Sequence, residues 1–203
     1  MTIRKRTFIL LLFLLPAMTH AQYFTGMGIK GGLVRATQTW DYTFLPSPAN
    51  WHRSGIDVGI FTELRFEGAN VTSILAELHY IQKGMSTAVQ DTTQPGTYIA
   101  VKTSADYLSI PVLLKFRLEK NRITPFAYVG PRLDILIRKP EAQGSYNIID
   151  FGGSIGGGFE FYSMSPVSIS LEARFSPDFS GAYQDDYLTI KNKSLEFLLG
   201  VRF

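Results

Sequence analysis

The sequence predicts an all-β protein, an eight-stranded antiparallel up-and-down transmembrane β-barrel with a cleaved N-terminal signal peptide. Apolar and polar residues alternate along eight segments, and a period of two is typical of strands. The connections alternate between long and short, as in outer-membrane barrels. The last segment, residues 193–203, would be an aggregation-prone apolar edge if it were unpaired, so it favours a closed barrel.

The beginning of the chain has the parts of a secretory signal peptide. Residues 4–6 read Arg-Lys-Arg, and residues 8–15 form an unbroken apolar run. This run is too short for a membrane-spanning helix. We expect cleavage after Ala21, which divides the chain into a signal peptide, residues 1–21, and a barrel domain, residues 22–203.

Composition excludes several classes of function. The chain has 20 Lys and Arg residues against 17 Asp and Glu residues, and the only charges in residues 1–21 are the three bases at positions 4–6. The expected mature protein is therefore formally neutral, which gives no reason to expect nucleic acid as a partner. The chain has no cysteine, so disulfides, thiolate chemistry and a lipoprotein anchor are excluded.

The first four predicted strands cover residues 25–36, 55–66, 72–84 and 104–118. The first strand holds four glycines, which suit close backbone approach in a barrel wall. The second and third strands alternate regularly and share a short turn. The fourth strand has an apolar residue at every second position from Leu108 onward.

The last four predicted strands cover residues 123–138, 150–162, 167–176 and 193–203. Each is long enough to cross a bilayer when tilted. A soluble sandwich has no reason to sort its connections by length at alternate ends. We expect the long segments to be external loops; they cover residues 37–54, 85–103, 139–149 and 177–192.

One face of these strands carries charges of both signs. Eight strands enclose a space just wide enough for side chains, so acids and bases on this face can pair. We predict an interior filled by ion pairs, rather than an open pore or the apolar interior that a soluble ligand carrier needs. The predicted lumen network contains Lys30, Asp57, Glu63, Arg65, Glu77, His79, Lys115, Arg117, Arg132, Asp134, Arg138, Glu160, Glu172, Arg174, Glu196 and Arg202.

Aromatic residues mark the closing strand and the first external segment. The closing strand ends on Phe203 and also carries Phe197, which resembles the signal that the barrel-assembly machinery recognises. Trp40 and Trp51 flank the first long segment with Tyr42 and Phe44 between them. We interpret these rings as an aromatic girdle at the lipid interface, with a ligand platform as the alternative.

Several motifs resemble the PorT-like outer-membrane β-barrel family. G-I-K-G-G-L at residues 28–33 resembles its first strand. L-A-E-L-H-Y-I-Q-K-G at residues 75–84 and Y-L-S-I-P-V-L-L-K at residues 107–115 resemble later strands, and P-F-A-Y-V-G-P at residues 125–131 resembles the fifth. The resemblance implies a Gram-negative outer-membrane barrel. The family's namesake takes part in protein secretion, which is one alternative function.

We predict a non-enzymatic scaffold that presents external loops, with no catalytic residue, cofactor or metal. Its expected partners are outer-membrane lipid, the assembly machinery and an unidentified protein or glycan. His79, beside Glu77, is interpreted as a hydrogen-bonded interior residue because no second histidine lies near it in sequence. The other alternative is a lipid-modifying enzyme, since His52 and Ser54 match the His-x-Ser pair of eight-stranded lipid A deacylases.

We expect the protein to fractionate with the outer membrane and to migrate differently on gels before and after boiling, because a closed barrel resists unfolding in detergent. Membrane fractionation and gel mobility measure these two properties. Recovery in the soluble periplasmic fraction without detergent would contradict this expectation.

Overall fold

The computed structural model describes residues 22–42, 51–66, 71–90, 98–118, 122–139, 147–162, 167–184 and 188–203. Within these ranges, nine strands form one antiparallel sheet. The strands are β1 (Gln22–Tyr42), β2 (Trp51–Phe66), β3 (Thr72–Gln90), β4 (Tyr98–Arg117), β5 (Ile123–Arg138), β6 (Ile149–Tyr162), β7 (Ser168–Pro177), β8 (Tyr183–Gln184) and β9 (Leu188–Arg202). The predicted signal peptide lies outside the described residues.

The sheet closes on itself. Each strand from β1 to β6 pairs with the next, β7 pairs with β9, and β9 pairs with β1. The two-residue β8 pairs only with β9. Eight long strands therefore form a closed up-and-down barrel, which confirms the predicted fold class. No helix in the described ranges is long and apolar enough to span a membrane.

The outward face of the barrel is apolar. Exposed and buried positions alternate without interruption along β7, from Ser168 to Ser176. The exposed positions on all the long strands are mainly large aliphatic and aromatic residues, such as Leu33 and Leu171, which are 66% and 52% exposed. An apolar surface of this extent suits the hydrocarbon region of a bilayer.

Five strands, β1, β2, β3, β4 and β9, extend several residues further toward the long connections than the sequence predicts. The pairing of β1 with β9 continues through Trp40 and Ile190, and the pairing of β3 with β4 continues through Val89 and Ile99. The predicted ends of these five strands are therefore wrong on this side of the barrel. The reason is that backbone pairing continues beyond the apolar band, where lipid no longer imposes an alternating sequence.

The seam between β1 and β9 requires close backbone approach. A Cβ atom at Gly32 would overlap the carbonyl group of Phe197 on the neighbouring strand. At the end of the seam, the Phe203 N–H donates to the Met27 carbonyl at 2.9 Å, and the Met27 N–H donates to the Phe203 carbonyl at 3.2 Å. The last residue of the chain thus takes part in closure.

We expect deletion of Phe203 to lower the amount of heat-modifiable protein in the outer membrane, because it removes both backbone hydrogen bonds and the terminal ring. The Phe203→Ala variant keeps the backbone bonds and tests the ring alone. Quantitative blots of membrane fractions measure both variants. If the ring is the assembly signal, the membrane levels of the two variants decrease by the same amount. Unchanged membrane levels of both variants would refute a role for Phe203.

Candidate functional site

The described interior of the barrel holds three clusters of charged side chains. We call them the turn-end cluster, near the short turns; the central cluster; and the loop-end cluster, near the long connections. Their members come from inward positions on several strands, and the loop-end cluster also includes Asp178, which directly follows β7. Buried charges are stable only when they are paired and hydrogen-bonded, so the contacts within each cluster decide its role.

The turn-end cluster joins β2, β4, β6 and β9. Arg117 forms ion pairs with Glu63 and Glu160, and its Nε donates to Glu160 Oε2 at 2.9 Å. Lys115 also pairs with Glu160. Arg202 Nη1 lies 3.3 Å from Glu63 Oε2. Every member therefore has an oppositely charged partner on a different strand.

The central cluster joins β1, β3, β7 and β9. Lys30 Nζ donates to Glu77 Oε1 at 2.7 Å and to Glu172 Oε2 at 2.9 Å. Arg174 Nη2 donates to the other oxygen of Glu77 at 2.6 Å. Arg174 Nε also lies 3.7 Å from Glu196 Oε2. Lys30 and Arg174 are thus shared among three carboxylates, which ties opposite walls of the barrel together.

His79 extends the central cluster. Its Nδ1 lies 2.5 Å from Asp57 Oδ1, and its Nε2 lies 3.1 Å from Glu77 Oε2. The Nδ1 atom is hydrogen-bonded to Asp57, whereas the contact between Nε2 and Glu77 is an ion-pair distance without hydrogen-bond geometry. The geometry agrees with an interior hydrogen-bonded residue.

The loop-end cluster has more acids than bases. Lys83 Nζ lies 2.5 Å from Asp134 Oδ2 and 3.2 Å from Asp178 Oδ1. Arg132 Nε lies 3.0 Å from the same Asp134 oxygen, and Arg132 also pairs with Asp178. Asp150 is buried directly opposite Asp134 in the ladder between β5 and β6. The second carboxylate oxygens of these acids accept no hydrogen bond within the described part of the protein.

Two apolar groups fill the space that the charges leave. One contains the buried rings of Phe61, Phe126 and Tyr128 with two leucines. Lys30 Nζ lies 4.9 Å from the centre of the Phe61 ring, a distance at which a cation is attracted to an aromatic face. The other group surrounds Tyr107 near the loop end. The interior is therefore packed with both side-chain types.

Comparison with known proteins identifies the family. A family model described as "Outer membrane protein beta-barrel domain" matches residues 21–184. The chain belongs to this family. Its place is the outer membrane of a Gram-negative bacterium, as predicted. In such barrels the short turns are periplasmic and the long connections are external. The loop-end cluster therefore lies toward the cell exterior.

One solved structure shares the fold of this outer-membrane barrel, and a second is reported beside it. The crystal structure of Neisserial surface protein A is 13% identical, with 91% of this chain and 100% of that chain covered and a TM-score of 0.51. OprG from Pseudomonas aeruginosa is 10% identical, with 89% and 97% covered and a TM-score of 0.49. The neisserial likeness concerns the fold alone. No curated protein matches the chain significantly.

Most members of the predicted lumen network lie in these three clusters of the outer-membrane barrel, but two do not. Arg65 is only half-buried, and its Nε has no hydrogen-bond partner among the described residues. Arg138 is exposed, so its predicted interior position is wrong.

A register shift explains the position of Arg138. Tyr107 pairs with Leu136, whereas the preceding Asp106 pairs with Arg138, so Ile137 is passed over. An extra residue of this kind is a β-bulge, and it reverses the face on which the following residues lie. Arg138 consequently leaves the interior face, and the single-period alternation of the sequence could not predict this.

Sequence reasoning missed three buried charges of the loop-end cluster. Lys83 continues the odd-numbered interior face of β3, and Asp150 precedes the outward Phe151 on β6, so alternation contained a signal for both. Asp178 lies in a segment predicted to be an external loop. It is held by an isolated β-bridge to Gly152, for which the sequence has no local pattern.

The other predicted sites remain separate from the interior. His52 and Ser54 are exposed on β2, and no hydrogen bond or ion pair of the described residues connects either to an acid. Trp40 lies half-buried in β1 and Trp51 is exposed in β2, while Phe44 is outside the described residues. Phe197 is exposed on the outward face of β9.

We expect the Arg174→Ala variant to lose about 3–5 kcal/mol of unfolding free energy, because it removes the ion-pair partner of buried Glu196 and one of the partners of buried Glu77. Urea unfolding in detergent micelles, followed by tryptophan fluorescence, measures this quantity. The matched control is Arg138→Ala, which removes an exposed arginine and should change stability by less than about 0.5 kcal/mol. Equal, small losses in the two variants would contradict the importance of the central cluster.

Proposed function

We propose that this outer-membrane barrel is a non-enzymatic scaffold with a filled lumen, which presents the external ends of its strands to a protein or glycan partner. The observation that carries the proposal is the central cluster. Lys30, from β1, and Arg174, from β7, meet Glu77 from β3, so paired side chains extend across the lumen from wall to wall. Such an interior supports a role as a membrane anchor and opposes the passage of ions through the lumen.

The external strand extensions support the presenting role. Backbone pairing holds β1 with β9, and β3 with β4, beyond the apolar band. Paired strands form a rigid base, and recognition residues are commonly carried by loops on such a base. The partner's chemistry would be decided by the external segments.

A finer assignment to the PorT-like members of the family rests on the motifs quoted above. G-I-K-G-G-L lies in β1, and Lys30 within it is a central-cluster base. The motif therefore supports a shared interior, and a secretion role remains the alternative that comes with it. Comparing proteins secreted by wild-type and deletion strains distinguishes that role from a scaffold.

A lipid-modifying enzyme has less support. His52 and Ser54 share an exposed strand segment, but a nucleophile needs a base and usually a group that orients the base. None of the described acids contacts either residue. We therefore propose no catalytic role for this pair.

We expect the reconstituted protein to show no stable, ohmic conductance in planar bilayers, because side chains occupy the lumen of an eight-stranded barrel. A general porin of larger diameter serves as the positive control, and gel mobility verifies that the inserted protein is folded. A reproducible channel well above leak, from folded wild-type protein, would refute the filled lumen and the scaffold proposal in this form.

A further inference from the structure

The outward face of β1 and β9 changes from apolar to cationic near the loop end. Leu33 on β1 and Leu195 on β9 are exposed and apolar. Two residues further toward the cell exterior, the outward positions are Arg35 on β1 and Lys193 on β9, followed by Lys191 on β9. We call Arg35, Lys191 and Lys193 the cationic rim patch.

The strand register places the three cations close together. Arg35 lies opposite Leu195, and Lys193 is the next outward residue beyond Leu195. Diagonal neighbours on adjacent antiparallel strands are about 7–8 Å apart, so the Arg35 and Lys193 side chains can reach one ligand. Lys191 is two residues beyond Lys193 on the same strand, and it therefore shares this face.

No ion pair within the described residues neutralises the cationic rim patch. The neighbouring strands present uncharged residues to it, since Ser54 of β2 lies opposite Arg35, and Pro177 of β7 lies opposite Lys193. The one acid on the outward face of β1 at this end is Asp41, which is opposite Thr189 and forms no ion pair with the lysines. This differs from the interior, where every clustered base contacts an acid.

Toward the membrane interior from the cationic rim patch, the outer surface has an apolar hollow of about 630 Å³. It is lined mainly by β1, β2 and β3, and it is bordered by Leu108 of β4 and by Leu199 and Val201 of β9. A Cβ atom at Gly31 would meet only the Asp57 carbonyl oxygen, at 3.8 Å, so the missing side chain leaves open space on the outward face. Gly31 and Arg35 both lie on the outward face of β1, so the hollow and the cationic rim patch share this strand.

We propose that this surface binds a phosphorylated lipid of the outer leaflet, with its phosphate groups on the cationic rim patch and an acyl chain in the hollow. Arginine and lysine at a membrane boundary attract anionic head groups, and a guanidinium can hold a phosphate through two hydrogen bonds. Long cationic side chains reach the head-group level while their stems cover apolar surface. The vertical order of cations over an apolar hollow matches the order of phosphate over acyl chain in a lipid.

The test measures binding of fluorescently labelled diphosphorylated lipid A to the folded, full-length protein in neutral detergent. The Arg35→Gln/Lys191→Gln/Lys193→Gln variant should bind about tenfold more weakly or worse, because three cationic contacts are lost. The control, Arg122→Gln, removes an exposed cation at the turn end, on the opposite side of the membrane, and should bind as the wild type does. Gel mobility verifies that all variants are folded.

Two further measurements distinguish binding of a whole lipid from binding of a simple anion. The Gly31→Leu variant fills the hollow without a backbone clash and should weaken lipid A binding several-fold while the cations remain. Dephosphorylated lipid A should bind poorly, and inorganic phosphate at equal concentration should not displace the bound lipid. Equal losses in the triple variant and in Arg122→Gln, strong binding of dephosphorylated lipid A, or displacement by inorganic phosphate would each overturn the proposal. None of these outcomes depends on whether the lumen conducts.

Discussion

Closure between β1 and β9 is the constraint on which the structure depends. In a bilayer, each backbone N–H and C=O must find a partner within the protein, so a sheet can span only if it has no free edge. The two strands satisfy this requirement over a long register, from Gly28 opposite Arg202 to Tyr42 opposite Leu188. Glycine at position 32 allows the backbones to approach there. Closure gives the sheet one face toward lipid and one toward the lumen, and the apolar and polar residues that alternate along the other strands match these two faces.

Closure with eight strands then determines the chemistry of the interior. The enclosed space is too narrow for bulk water, so charged side chains must neutralise one another. Arg117 and Arg174 each reach carboxylates from two or more other strands, and aromatic rings such as Phe61 and Tyr128 fill the gaps. Removing one partner leaves a buried charge, which makes the clusters sensitive to single substitutions. The loop-end cluster is the least balanced, since Asp150 adds a third acid beside two bases.

The residue types on the outside of the barrel change along each strand, because the surroundings change from hydrocarbon to the polar membrane boundary. Apolar residues such as Leu33 and Leu195 occupy the hydrocarbon region, and Arg35 and Lys193 begin immediately beyond them. Beyond this boundary the backbones of β1 with β9, and of β3 with β4, continue as paired strands. The same strands thus line an ion-paired interior, face lipid on the outside and extend beyond the membrane. This is consistent with a protein that is anchored in the membrane and presents external loops to a partner.

The amino-acid sequence by itself determined the strand number, the closed antiparallel topology and the face of most interior charges, because a period of two assigns each residue to lipid or lumen. It could not determine partners, since Lys30 and Glu172 are far apart in sequence and meet only across the closed barrel. It also could not determine where the period breaks. The bulge beside Asp106 moved Arg138 outward, and a β-bridge brought Asp178 inside. Both events depend on pairing between strands, and pairing is a property of the tertiary structure.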